Sequence, residues 1–211
     1  MALDVVDLFA GPGGLGEGFT GFASGSVFKL AVSVEMEASA HQTLTLRSFF
    51  RRVRGDAKGE RVYYGYCQDS SAQHPREAYP SAWNASEVEA RRLTLGDERD
   101  NKTLNAILDA KRLNPDRTVV IGGPPCQAYS LMGRARNRGK FGYEADKDHR
   151  NFLYREYLRV LHRLQPAVFV MENVKGILSS RVGGRRVFHD ILSDLAQPGK
   201  ALRRARNDQG H

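Results

Sequence analysis

One of the two cysteines in the sequence stands where a nucleophile could work. Cys126 follows the apolar run Val119–Ile121 and the rigid tetrapeptide Gly-Gly-Pro-Pro. If the run is a buried strand, the cysteine lies at the carboxyl edge of a sheet, where open α/β sheets bind their ligands. An isolated cysteine usually acts as a small buried apolar residue. The rigid Gly-Gly-Pro-Pro backbone before Cys126 argues against that role, because such a backbone is costly for a residue that only fills space. Nucleophilic attack requires the thiolate, so a neighbouring group must stabilise it or accept its proton.

A glutamate holds a similar position after a second apolar run. Glu172 follows Val168–Met171 within the segment Met-Glu-Asn-Val-Lys. Parallel strands end at one edge of a sheet, so Glu172 can converge on the edge that carries Cys126. Glutamates are usually solvated or cap a helix, whereas one that leaves an apolar strand should be partly desolvated. Such an acid is suited to proton donation.

A glycine-rich turn follows the first apolar run of the chain, Val5–Phe9. Gly11, Gly13 and Gly16 have the spacing G-x-G-x-x-G, which lets the backbone turn sharply and approach a ligand closely. About 20 residues further on, Glu35 ends the next apolar run, and a carboxylate there can accept both hydroxyls of a ribose. The pattern favours an adenosine-containing cofactor over a glycine turn without a ligand. It does not distinguish a dinucleotide from S-adenosylmethionine.

Positive charge clusters shortly after Cys126. Arg134, Arg136, Arg138 and Lys140 stand within seven positions that contain no acid. The whole sequence has a net charge of +8, although its first fifty residues carry two basic and five acidic residues. A basic body suggests a polyanionic partner. The cluster is therefore interpreted as a flexible clamp on phosphates, with a solvated loop as the alternative.

Length and composition narrow the class of protein. With 211 residues and 41% hydrophobic residues, the chain can bury a sizeable core, which excludes wholesale disorder, collagen and coiled coil. No apolar run approaches the roughly 20 residues of a membrane helix, and the N-terminus has no signal-peptide pattern. The two cysteines form no CxxC motif, so neither a disulfide scaffold nor a zinc site is expected. We expect a cytoplasmic protein without a membrane or metal partner.

The elements that must position these residues alternate along the chain. Four short runs, apolar on both faces, have the pattern of central parallel strands covered by helices. They are Val5–Phe9, Leu30–Val34, Val119–Ile121 and Val168–Met171. Apolar residues at helical spacing predict helices over about 38–50, 151–164 and 186–195. This alternation predicts an α/β doubly wound, mostly parallel sheet.

Two stretches do not fit the alternation. Residues 51–92 are polar and lack a sustained period, so they are interpreted as an insertion on the rim of the sheet. The tyrosines of this insertion either stack on bases or anchor a loop. The catalytic domain is assigned to residues 1–200, and residues 201–211 are expected to form a frayed basic tail.

Three of these segments resemble, in type and order, the signature motifs of the cytosine-C5 DNA methyltransferases. They are Asp-Leu-Phe-Ala-Gly-Pro-Gly-Gly from Asp7, Gly-Gly-Pro-Pro-Cys-Gln-Ala-Tyr-Ser from Gly122, and Met-Glu-Asn-Val-Lys from Met171. The resemblance runs from about Asp4 to Leu195, and the pair Pro-Cys-Gln and Glu-Asn-Val is highly specific. It implies a Rossmann-like sheet of the S-adenosylmethionine-dependent methyltransferase type, incomplete at its C-terminal end, and double-stranded DNA as the partner.

The resemblance also implies roles for individual residues. Leu95-Gly96-Asp97 looks like the family's third cofactor motif, whose acid recognises the adenine amino group, and Phe9 would lie against the adenine ring. The residues implied in binding S-adenosylmethionine are Asp7, Phe9, Gly11, Gly13, Gly14, Glu35, Met36, Asp97 and Pro125. Those implied in binding the DNA are Gln127, Ser130, Arg134, Arg136, Arg138, Lys140 and Asn173.

The implied mechanism is covalent. The Cys126 thiolate would attack carbon 6 of a cytosine flipped out of the duplex. Glu172 would protonate or hydrogen-bond the ring nitrogen at position 3. Carbon 5 would then take the methyl group of S-adenosylmethionine, and Asn173 would brace the Pro-Cys loop.

Parts of the family pattern are not found in the sequence. They are the Gln-x-Arg-x-Arg motif, the target-recognition region and the final motif. The sequence therefore predicts the first part of a methyltransferase, as a fragment or as one half of a split enzyme with a complementing C-terminal polypeptide. Three alternatives stay open: a non-catalytic remnant that binds cofactor or DNA, a tRNA cytosine methyltransferase, and an NAD-dependent oxidoreductase. The last leaves Pro-Cys-Gln and Glu-Asn-Val unexplained.

Overall fold

A computed structural model describes residues 2–124, 153–173, 181–182 and 185–207. The chain divides into two compact units, residues 1–112 and 113–211. The elements of the first unit are β1 Leu3–Leu8, α1 Gly14–Gly21, β2 Phe28–Glu35, α2 Ala38–Val53, α3 Ala57–Gln68, α4 Pro75–Ala78, α5 Pro80–Glu89, β3 Ala90–Arg92 and α6 Glu98–Lys111. Those of the second unit are β4 Thr118–Gly122, α7 Leu153–Leu164, β5 Val168–Met171, β6 Arg181–Val182, β7 Arg185–Arg186, α8 Val187–Ala196 and α9 Pro198–Asn207.

The three strands of the first unit pair in the order β3-β2-β1, and both pairings are parallel. Leu3 lies opposite Phe28, and Ser33 lies opposite Ala90. The valines of β1 and β2 and Leu8 are at most 1% exposed, as the centre of a parallel sheet covered on both faces requires. The strand predictions for Val5–Phe9 and Leu30–Val34 are therefore confirmed.

The stretch interpreted as an insertion is mostly helical, which its sequence did not predict, and its last three residues form β3. It contributes α3, α4 and α5, and local signals start these helices: the Asp56 side chain accepts from Lys58 N–H, and proline occupies the first turn of both α4 and α5. Trp83 packs with Phe49 and Val53 in a buried cluster. The tyrosines of the insertion contact this cluster or neighbouring rings, so the anchoring interpretation is confirmed.

In the second unit β4 and β5 pair in parallel, with Val119 opposite Val168. The short strands β6 and β7 form a separate antiparallel pair. The hydroxyl of Tyr157 in α7 lies 3.0 Å from the carbonyl oxygens of both Val120 and Val170, so it can donate to either strand. Helices alternate with parallel strands in both units, which confirms the predicted α/β class.

Two predictions about the second unit are wrong. The strand β5 is not covered, because Val168, Phe169 and Val170 are 53%, 40% and 38% exposed. Residues 201–207 are not frayed but belong to α9, in which Ala201 is buried and Arg204 pairs with Asp194 at 2.7 Å. Within the described residues, no helix combines the length and apolar character needed to cross a membrane.

Candidate functional site

The turn after β1 has an unusual backbone. Phe9, Gly11 and Gly13 have φ angles of 55°, 56° and 89°, in the left-handed region that strongly favours glycine. Ala10 N–H donates to the carbonyl oxygen of Val34 at 3.0 Å, which ties the turn to β2. A non-glycine residue in this region is strained and is typical of a functional site. We name Phe9–Gly14 the glycine turn.

Gly11 and Gly13 have different surroundings in the glycine turn. A Cβ atom at Gly13 would lie 2.7 Å from Leu44 Cδ1, so this position is closed by the packing of α2. A Cβ atom at Gly11 would meet nothing within 4 Å, so the glycine turn borders open space there. The open side is where a ligand can approach the backbone.

The carboxylate of Glu35 binds two backbone amides at the end of β2. Its Oε2 accepts from Gly11 N–H at 2.8 Å, and its Oε1 accepts from Glu37 N–H at 2.7 Å. These bonds fix the carboxylate beside the glycine turn. A carboxylate offers about four acceptor positions, so two ribose hydroxyls remain within its capacity.

Met36 and Asp97 follow β2 and β3 at the same edge. The Met36 side chain is 56% exposed. Leu93 N–H donates to the carbonyl oxygen of Glu35 at 3.1 Å, so the segment that leads to Asp97 starts beside Glu35. The Asp97 side chain is exposed and caps α6 by accepting from Asp100 N–H. The structure thus gathers Phe9, Gly11, Glu35 and Met36 at the carboxyl ends of β1 and β2, and Asp97 follows the end of β3 by five residues.

Asp7 does not belong to that surface. Its side chain is 1% exposed and lies beneath α1, where a Cβ atom at Gly16 would come within 2.8 Å of Oδ2. Neither carboxylate oxygen has a hydrogen-bond partner of normal geometry. Burial raises the pKa of Asp7 to about 7, against the lowering effect of nearby Arg51. The implied role of Asp7 in cofactor binding stays a prediction, and its buried side chain can act on a ligand only through its neighbours.

In the second unit Glu172 lies against the start of the Pro-Pro-Cys segment. Its N–H donates to the carbonyl oxygen of Gly122 at 2.9 Å. Its Oε2 lies 2.8 Å from the position that a Cβ atom would take at Gly123, three residues before Cys126. The side chain is exposed, so the predicted desolvation is wrong, because the neighbouring strand β5 is itself uncovered. Asn173, the next residue, is half-buried.

The remaining predicted site residues lie outside the described residues and stay predictions. They are Pro125, Cys126, Gln127, Ser130, Arg134, Arg136, Arg138 and Lys140. Sequence reasoning also missed an ion-pair cluster around Arg51, which contacts Glu17 and Glu89. Its partners are 34 and 38 residues away, and no local pattern signals such pairs.

Comparison with known proteins is consistent with this site. The model of the family described as C-5 cytosine-specific DNA methylase matches residues 80–199, more than half of the chain. Type II methyltransferase M.Bpa9945I of Bacillus paralicheniformis is 32% identical over 92% of this chain and 45% of its own length. Putative type II methyltransferase M.MjaORF1200P of Methanocaldococcus jannaschii is 29% identical over 90% of this chain and 53% of its own. Type II methyltransferase M.AquIA of a Picosynechococcus species is 39% identical over 46% of this chain and 36% of its own. The chain spans about half the length of M.Bpa9945I and of M.MjaORF1200P.

Proposed function

Since this chain belongs to the family of C-5 cytosine-specific DNA methylases, we propose that it transfers a methyl group from S-adenosylmethionine to carbon 5 of cytosine in double-stranded DNA. The observation that carries the proposal is the place of Glu172. This acid lies against Gly123, three residues before Cys126, so the two residue types that the reaction requires belong to adjoining segments. Membership in a family of DNA methylases favours DNA over tRNA.

The described residues fit S-adenosylmethionine as the cofactor. The open side of the glycine turn at Gly11 admits a ligand to the backbone, and Glu35 is held where it can accept ribose hydroxyls. The exposed Met36 offers apolar surface, and Asp97 retains acceptor capacity for an adenine amino group. When bound, the cofactor supplies a methyl group on a positively charged sulfur, which is an electrophile. Phe9 and Gly13 would shape the turn that holds it.

Cys126 makes the target carbon reactive. Its thiolate adds to carbon 6 of cytosine, forming an S–C6 bond, and the electrons of the C5–C6 double bond move into the ring. Carbon 5 becomes nucleophilic, and S-adenosylmethionine, when bound, would supply its methyl group there, with the C5–methyl bond forming as the sulfur–methyl bond breaks. Loss of the proton on carbon 5 then restores the double bond and expels the Cys126 thiolate. This covalent route divides one difficult step into easier ones.

Glu172 supports the addition by protonating or hydrogen-bonding the ring nitrogen at position 3, which bears the developing negative charge. The target base must leave the duplex to reach both residues, at a cost of a few kcal/mol of unstacking. Cations of the segment 134–140 would offset part of that cost through phosphate contacts.

Trapping on a modified substrate tests the proposal. A duplex with 5-fluorocytosine cannot lose fluorine as a cation, so the covalent adduct accumulates after methyl transfer. The chain has two cysteines, which allows a matched pair of variants. With the complementing C-terminal polypeptide supplied, we expect a denaturation-resistant protein–DNA band with wild type and with Cys67→Ala, whose cysteine is exposed and free, and no band with Cys126→Ala. An adduct that survives Cys126→Ala contradicts the assignment of the nucleophile, and a preference for tRNA in competition contradicts the substrate.

We further propose that efficient transfer needs the remainder of a methyltransferase, as a complementing C-terminal polypeptide. M.Bpa9945I and M.MjaORF1200P, which match 92% and 90% of this chain, have roughly as much sequence again outside the matched region. The exposed apolar strand β5 offers an edge on which an added strand could pair. The test compares adduct formation by the chain with and without the product of the downstream reading frame. Equal yields in both reactions would contradict the need for a partner.

A further inference from the structure

Arg51 of α2 joins two carboxylates that lie on different helices of the first unit. Its guanidinium donates to Glu17 in α1 and to Glu89 at the end of α5. The Arg51 side chain is 18% exposed, and that of Glu89 is 10% exposed. Because a planar guanidinium can bind two carboxylates at once, Arg51 connects the helix after the glycine turn with the last helix of the insertion.

Helix α1 depends on such contacts. It has eight residues, of which Gly16 alone is buried, and its N-cap Gly13 makes no side-chain cap. Helices this short have little stability of their own, so tertiary contacts decide their position. Glu17 N–H donates to the carbonyl oxygen of Gly13 at 3.0 Å, so the residue held by Arg51 is bonded directly to the glycine turn.

We propose that Arg51 is a positioning residue for the cofactor: by holding Glu17 against Glu89, it fixes α1 and the glycine turn in the conformation that binds S-adenosylmethionine. This inference rests on the proposed function. Arg51 would not touch the cofactor but would act through Glu17 and Gly13.

Arg51 also affects the ionisation of Asp7, the buried carboxyl group beneath α1. Three groups face Asp7: Arg51 from α2 and the Gly16 N–H from α1 lower its pKa, and Glu35 at the end of β2 raises it. Removing the Arg51 cation therefore moves the ionisation of Asp7 to higher pH. S-adenosylmethionine carries a positive sulfur, so the ionised form of Asp7 favours its binding. Cofactor affinity should rise as Asp7 ionises, and Arg51 should set the pH at which it does so.

The next residue provides a matched control. Arg52 donates to Glu89 at 2.9 Å and to the carbonyl oxygen of Ala85 at 3.1 Å, both within α5, and makes no described contact with α1. Arg51→Met and Arg52→Met thus remove the same side chain type from the same carboxylate. Only the first releases Glu17.

The experiment measures the Kd of S-adenosylmethionine by calorimetry on the full chain from pH 5.5 to 8.5. We expect at least a tenfold weaker Kd for Arg51→Met, a smaller loss for Arg51→Lys, and a change below twofold for Arg52→Met. Glu17→Gln should weaken binding, and adding it to Arg51→Met should cause little further loss, because the two residues act through one contact. The midpoint of the affinity profile should move to higher pH in Arg51→Met and stay in place in Arg52→Met.

Equal Kd values for Arg51→Met and Arg52→Met overturn the inference, as does an unmoved midpoint. Cys126→Ala separates this inference from the proposed function, because the variant should bind cofactor normally and form no adduct. A wild-type chain that binds no S-adenosylmethionine refutes the cofactor assignment and this inference together. A wild-type chain that binds it but forms no adduct even when the complementing polypeptide is supplied refutes the proposed reaction alone.

Discussion

Replacing Asp7 with asparagine should make the stability of the protein less dependent on pH. Asp7 is 1% exposed, and burial raises its pKa from an ordinary value near 3.8 to about 7. Between these two values the folded state binds a proton that the unfolded state has released. The free energy of unfolding therefore falls as pH rises through this window and levels off above pH 7.

The size of the effect follows from the shift. A difference of about three pKa units corresponds to about 4 kcal/mol, at about 1.4 kcal/mol per unit. The part that falls between pH 5 and pH 8 is about 2–3 kcal/mol. The substituted asparagine would bury an amide without partners at a cost of about 1–3 kcal/mol, but this cost is the same at both pH values and cancels in the comparison.

The assay is urea unfolding of wild type and Asp7→Asn at pH 5 and pH 8. We expect the stability of wild type relative to Asp7→Asn to be about 2–3 kcal/mol lower at pH 8 than at pH 5. All other titratable groups are present in both proteins, so their contributions cancel in the comparison. A relative stability that is the same at the two pH values would show that Asp7 is ionised throughout, and the burial argument would be refuted.

Two further substitutions test the glycine turn and its carboxylate. Glu35→Ala removes the acceptor of two backbone amides and of the proposed ribose contact, so calorimetry should show S-adenosylmethionine binding at least tenfold weaker; Glu37→Ala, which alters only the cap of α2, is the control. Unchanged affinity in Glu35→Ala would rule out the ribose role. Gly13→Ala places a Cβ atom 2.7 Å from Leu44 Cδ1 at a φ of 89°, so urea unfolding should show a loss of about 1–3 kcal/mol. Gly18→Ala, in open space within α1, should lose nothing, and an equal loss in both variants would disprove the steric argument.

The predictable part of the fold consists of the strands. The strands β1, β2, β4 and β5 follow from short runs of apolar residues, which carry their own signal. The helices of the insertion carried no such signal, because their buried surface converges on one cluster around Trp83 instead of a continuous stripe. The exposure of β5 could not be predicted from the sequence either, since an apolar run does not reveal whether another element covers the strand.

The predictable part of the site has the same physical origin. Parallel pairing places the ends of adjacent strands side by side, so residues far apart in sequence meet wherever each follows its strand. Glu35 reaches Gly11, 24 residues away, and Glu172 reaches Gly123 for this reason. Asp7 lies one residue before the end of β1 and is buried, although it belongs to the same motif as Gly11. Strand ends thus predict which residues can face a ligand, whereas the contacts that hold them there, such as Arg51 with Glu17, depend on helix packing and become visible only in the structure.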